Sequence, residues 1–168
     1  DRQSVKATIN VSGIMAERYP EIVRQISEAG HDIVAHSYTM DQIPAYLTEE
    51  EEREVIERTA GIIEKSTGRR PQGWISPRST PSLRTPRLLA EAGFAWHGDT
   101  LNDDLPYLVK FREGSIIAFP NNTEVNDLPL YMRHGNSPRV MVEIFQDWLD
   151  SARQPEAGLV RMDPAIHA

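Results

Sequence analysis

The spacing of apolar residues changes period several times along the chain, and each change marks an element. Residues 5–11, VKATINV, alternate and are rich in β-branched side chains, which predicts a strand with Asn10 and Ser12 at its polar end. A helix follows: Pro20 suits a first helical position, Ile22, Val23 and Ile26 form an apolar stripe, and Gly30 stands where a C-terminal cap belongs. DIVAH, residues 32–36, is a second strand that delivers His36 into a polar turn. Thr48 and Glu51 then have the spacing of a capping box, with Val55, Ile56, Thr59, Ile62 and Ile63 as the buried face of the helix they start and Gly68 as its end. The acidic run 49–52 needs no further role, because carboxylates in a first turn complement the helix dipole.

The alternation continues with QGWIS (72–76) as a strand, SLRTPRLLAEAG (82–93) as a helix closed by Gly93, and FAWHGD (94–99) as a strand. A longer excursion, residues 100–114, precedes the strand SIIAFP (115–120). A helix over 140–151 and a final strand, GLVRMD (158–163), complete the series. Strand and helix in turn predict an α/β fold with a parallel sheet of crossover units, either an open doubly wound sheet or a barrel; periodicity does not choose between them.

Composition narrows the function classes. The 168 residues are 39% hydrophobic and 26% charged, as expected for one globular domain with a sizeable core. A net charge of −7 argues against nucleic acid or an anionic membrane as the main partner, since both reward clustered Lys and Arg. No apolar run has the length of a membrane span, and the first residues lack the pattern of a signal peptide, so the expectation is a soluble chain in the cytoplasm. Cysteine is absent, which leaves His, Asp and Glu as the side chains that can hold a metal.

Sites in parallel α/β folds are built from residues just past the C-terminal ends of the strands. Here those positions hold His36-Ser37, Ser76-Pro77-Arg78, His97-Gly98-Asp99, Asn121-Asn122 with Asn126-Asp127 beyond, and Asp163 and His167. Each also has a plainer reading. His36 can be a hydrogen-bonded loop histidine, Arg78 a structural ion-pair partner, Trp74 a core residue, Asp103-Asp104 a turn cap and His167 a terminal residue.

The phrases GHDIVAHSY, EEEREVIERTAGIIEKSTGRRPQGWISPRSTPS, LLAEAGFAWHGDTLNDDLPY and NDLP resemble the polysaccharide deacetylase superfamily, the NodB-homology fold of carbohydrate esterase family 4. Within it, GWISPR, DDLPY and EVNDLP are most similar to the branch of metal-independent allantoinases and other cyclic-amide hydrolases. The resemblance runs from Ala7 to His167. It implies a distorted (β/α) barrel, and 1–168 as one catalytic domain incomplete at both ends, lacking the first strand and a C-terminal helix. In metal-dependent members an Asp-Asp pair follows the first strand and a His-x-x-x-His motif the third. His36 matches the first histidine of that motif and Met40 replaces the second, while the acidic pair has no counterpart in this sequence. A thioether suits neither zinc nor harder divalent ions, so no tightly held metal is expected, and a zinc-like ion would have His36 as its ligand.

The resemblance therefore implies a hydrolase of non-peptide C–N bonds. The leading expectation is the opening of a small cyclic amide or ureide such as allantoin. The alternatives are a metal-dependent de-N-acetylase of N-acetylated polysaccharide or peptidoglycan, and an inactive ligand-binding homologue. His36 and His167 would act as base and acid, and Arg78 would anchor substrate or orient a carboxylate. Trp74 and Tyr107 would line the pocket, and Asp103, Asp104, Asn126 and Asp127 would match the donors and acceptors of a ureide. The primary base is expected upstream of Asp1, and a homo-oligomer is expected because family members often assemble.

Overall fold

The computed structural model describes residues 5–103, 105–121 and 125–152. The β-branched alternation near the start forms β1 (Thr8–Val11), which pairs in parallel with β2 (Asp32–Ala35), Thr8 opposite Asp32 and Val11 opposite Ala35. β2 pairs in parallel with β3 (Gly73–Trp74) through Ala35 and Trp74, and β3 with β4 (Trp96–Thr100) through Trp74 and His97. Ala35, Trp74 and His97 thus share one row across three strands. The last two strands, β5 (Tyr107–Lys110) and β6 (Ser115–Pro120), form an antiparallel hairpin, and the order across the sheet is β1-β2-β3-β4-β6-β5.

Crossover helices bury the sheet. α1 (Gly13–Arg18) and α2 (Pro20–Glu28) link β1 to β2, α3 (Glu49–Thr67) links β2 to β3, and α4 (Thr85–Glu91) links β3 to β4. α3 packs against α1, α2 and α4 and starts where the capping box predicts. The Glu51 N–H donates to the Thr48 hydroxyl at 3.3 Å, and the Thr48 N–H donates to the Glu51 carboxylate at 2.8 Å. It ends at Gly68, whose φ of 74° is the left-handed cap that glycine adopts without a steric cost. Ile33, Ala35, Ile56, Ile63, Trp74, Leu88 and Phe94 are among the residues of the core these elements enclose, with the Trp74 and Phe94 rings edge to face at 5.7 Å.

The described residues divide into two packing units, one drawn from positions 1–99 and 107–119 and the other from positions 100–106 and 120–168. The core just described belongs to the first. The second holds a π-helical turn, Leu128–Arg133, and the amphipathic α5 (Pro138–Ala152), with Val125 and Leu130 buried and the Tyr131 hydroxyl 3.3 Å from the Met141 sulfur.

Several boundaries differ from the periodicity. The excursion over 100–114 contains β5, which alternates half-buried and exposed along Tyr107, Leu108, Val109 and Lys110, and is closed onto β6 by the Phe111 N–H donating to the Gly114 carbonyl at 2.7 Å. The expected strand 72–76 is cut to two residues, because the Ser76 N–H leaves the ladder for the Asp99 carboxylate. Conversely β4 runs on to Thr100, so His97, Gly98 and Asp99 lie inside a strand rather than past it. Ile22 is 55% exposed: α2 turns Val23 and Ile26 inward instead. The strand expected at 158–163 lies outside the described residues.

Candidate active site

Three neighbouring strands set the site. β2, β3 and β4 run parallel, so their C-terminal ends meet on one edge and the residues that follow them are neighbours. Three of the described residues other than glycine have positive φ, and all lie just past β2 and β3: Ser37 (58°), Arg78 (57°) and Ser79 (47°). Holding such residues in the left-handed region costs on the order of 1–3 kcal/mol each, a strain that collects where a chain must aim particular groups.

The first of these turns is braced from below. The Gly13 N–H donates to the Ser37 carbonyl at 2.8 Å and the Ile14 N–H to the Tyr38 carbonyl at 2.9 Å, while the Ser37 hydroxyl donates to the Gln42 carbonyl at 3.1 Å. His36, half-buried beside Ser37, places Nδ1 2.6 Å from the Ile75 carbonyl oxygen. A carbonyl only accepts, so Nδ1 carries the proton and the other ring nitrogen, Nε2, keeps its lone pair. Burial lowers the His36 pKa from its ordinary value, and the Ile75 carbonyl opposes this in part, so the imidazole is neutral at pH 7.

The second turn is fastened by a buried network. The Trp74 indole N–H donates to the Ser76 hydroxyl at 3.0 Å. The Ser76 hydroxyl donates to one oxygen of Asp99 at 2.7 Å, and the Ser76 N–H donates to the other at 2.7 Å. Asp99 is 7% exposed, and burial pushes its pKa up to about 6 against the two Ser76 bonds, which hold it down. At neutral pH it is mostly a carboxylate. His97, two residues earlier and on the same face of β4, is 1% exposed, and neither ring nitrogen has a hydrogen-bond partner among the described residues. Burial alone lowers its pKa to about 4.

The expected site residues separate accordingly. His36 and Arg78 follow adjacent strands, and the Arg78 guanidinium is exposed and makes no hydrogen bond or ion pair among the described residues. Trp74, expected to line a pocket, is 0% exposed and belongs to the core, its indole N–H consumed by Ser76. Tyr107 begins β5, half-buried. In the second unit Asp103 is exposed and accepts from the Leu105 N–H at 3.3 Å, Asn126 caps the Leu128 N–H at 3.1 Å, and Asp127 is buried. Asp104 and His167 lie outside the described residues. Ser76 and Asp99, which sequence reasoning placed among loop groups without a role, form the best-ordered polar contacts of the site. The available signal was Asp99 standing two positions after His97 in a strand that continues.

The described residues do not fit a divalent ion. Among them no three His, Asp or Glu side chains converge. His36 has only Nε2 to offer, and Met40, at the position of the family's second histidine, is 51% exposed and brings a thioether.

His36 and Arg78 thus follow the C-terminal ends of the parallel strands β2 and β3, and Asp99 lies buried near the end of β4. The family model for polysaccharide deacetylase matches residues 1–97, and the chain belongs to that family. A peptidoglycan deacetylase of Helicobacter pylori is 27% identical over 167 residues, covering 82% of this chain and 57% of its own length. A solved structure from Mycobacterium smegmatis in the polysaccharide deacetylase group superposes with a TM-score of 0.79 at 29% identity, over 91% of this chain and 56% of that one. The structure of the allantoinase Puue superposes with a TM-score of 0.71 at 27% identity, over 85% of this chain and 48% of that one. The fold is therefore of the NodB type, and the chain spans about half the length of these relatives.

Proposed function

We propose that this chain carries part of the catalytic site of a hydrolase that cleaves the amide of an N-acetylated sugar in a polysaccharide of the peptidoglycan type. This reverses the order of the sequence-based expectations, in which a cyclic ureide came first. The family match and the peptidoglycan deacetylase relative support the change. The observation that carries the chemistry is His36, neutral and fixed with its proton on Nδ1, leaving the Nε2 lone pair to take a proton from water.

In this reading the water oxygen attacks the acetyl carbonyl carbon as its proton passes to His36 Nε2. The oxyanion that forms needs a positive partner, and Arg78 is a cation beside the site that has no ion-pair partner among the described residues. Collapse breaks the C–N bond, the nitrogen takes a proton, and acetate and the free amine leave. His167 is assigned the donation of that proton.

Met40 favours a second reading, the opening of a cyclic amide without a resident metal, by the same steps on a ring C–N bond. Full-length protein incubated separately with N-acetylated chitooligosaccharides, peptidoglycan fragments, allantoin and hydantoin decides between them. Acetate release is the expected result, ring opening without acetate establishes the second reading, and turnover of none of the four refutes both. His36→Ala should lower kcat by roughly 10²–10⁴-fold with an unchanged circular dichroism spectrum.

A further inference from the structure

One peptide group joins His36 to Asp99. The Ile75 carbonyl oxygen accepts from His36 Nδ1 at 2.6 Å, and the N–H of that same peptide unit, on Ser76, donates to Asp99 Oδ1 at 2.7 Å. The two bonds lie at opposite ends of one conjugated amide. A carboxylate on the N–H draws the amide's hydrogen outward and increases the negative charge on its oxygen, which strengthens that oxygen as an acceptor. Oδ2 of the same carboxylate takes the Ser76 hydroxyl, which in turn accepts from the Trp74 indole, so the aspartate is anchored to a fully buried core residue.

From this geometry we infer that Asp99 is a positioning residue for His36, acting through the Ile75–Ser76 peptide to hold the imidazole in its Nδ1–H tautomer with Nε2 directed to the reaction. Asp99 never touches substrate. It does for His36 what a directly bonded carboxylate does for a catalytic histidine, with a main-chain amide placed between them. The inference depends on the functional reading only in giving Nε2 a proton to accept. It also gives a use to a buried, desolvated carboxylate whose contacts the hydrolytic steps leave unexplained.

The test reads the tautomer directly. Full-length protein labelled uniformly with ¹⁵N is examined at pH 7.5 by ¹H–¹⁵N correlation of its amides and long-range ¹H–¹⁵N correlation of its imidazoles, without substrate, as wild type, Asp99→Asn and Ser76→Ala. In the wild type His36 should show the Nδ1–H pattern, and an Nε2–H pattern overturns the inference whatever the variants do. Asp99→Asn keeps the shape and one acceptor oxygen but loses the charge. The Nε2–H form of His36 should then become populated, the Ser76 amide proton should move upfield, and kcat should fall about tenfold with KM within about twofold. Ser76→Ala keeps the peptide link and removes only the hydroxyl, so its His36 pattern should stay that of the wild type. His36 signals unchanged in Asp99→Asn would overturn the relay and leave the hydrolase reading standing. A protein that hydrolyses no amide yet shows the tautomer shift would do the reverse.

Discussion

Replacing His97 with leucine should reshape the acid side of the stability curve. The imidazole is buried with neither nitrogen satisfied among the described residues, and its pKa falls from 6.5 to about 4 in the folded protein. A histidine lowered in this way contributes stability that is present above pH 6.5 and is lost as pH falls through about 4, because the unfolded chain takes up the proton first. The gap between 6.5 and about 4, at about 1.4 kcal/mol per pH unit, puts on the order of 3 kcal/mol into that window. Asp99 works in the opposite direction: raised from 3.8 to about 6, it contributes stability below 3.8 that is lost as pH rises through about 6. In the wild type the two largely offset each other. Leucine at 97 removes one arm, so the variant should gain on the order of 3 kcal/mol relative to wild type between pH 7 and pH 4. Urea unfolding of both proteins at half-unit pH steps measures the difference curve directly. Its slope is insensitive to any constant packing penalty the leucine brings. Parallel curves across the window would refute the reasoning, since they would mean that His97 titrates normally and is either solvated or bonded.

Two further substitutions probe the supports of the site. Gly13→Ala places a Cβ 2.8 Å from Tyr38 Cδ2 and 3.3 Å from Tyr38 Cα, so the turn that carries Ser37 must shift; a loss of about 1–3 kcal/mol by chemical denaturation, with reduced turnover, is expected. Glu52→Ala removes a buried carboxylate that accepts from the Ser82 hydroxyl at 2.7 Å and from the Thr85 hydroxyl and lies 3.6 Å from Arg84 Nε. With those donors stranded, stability should drop by about 2–3 kcal/mol by the same assay.

The elements legible in the sequence are those in which a local signal and the tertiary structure agree. Thr48 and Glu51 cap α3 through contacts made within one turn, and Gly68 ends it by its own backbone freedom, so three residues in isolation suffice. The strand over 115–120 matches its expected bounds because its apolar run is set off by Gly114 and the residues beyond Pro120. Where the controlling contact is remote, local pattern misleads. QGWIS reads as five residues of strand, yet Asp99, far along the chain, captures the Ser76 N–H and ends the pairing. Leu108 sits half-exposed on β5, so the apolar stretch around it lacks the clean alternation that would have marked a hairpin. The candidate site follows the same division. His36 and Arg78 were visible as reactive types just past strands, but the rigid burial of Trp74 and the isolation of His97 are properties of packing, which no spacing of residues reports.

The bond between the first turn and the fourth strand runs through main-chain atoms, and this changes what mutation can reach. Any side chain at position 75 leaves the carbonyl in place, and at position 76 only proline deletes the N–H. His36 and Asp99 are therefore joined through atoms that substitution at position 75 does not remove, while Ser76 also holds Asp99 through its hydroxyl. Attempts to retune this imidazole by redesign should start at the aspartate, because the intervening link offers almost nothing to edit.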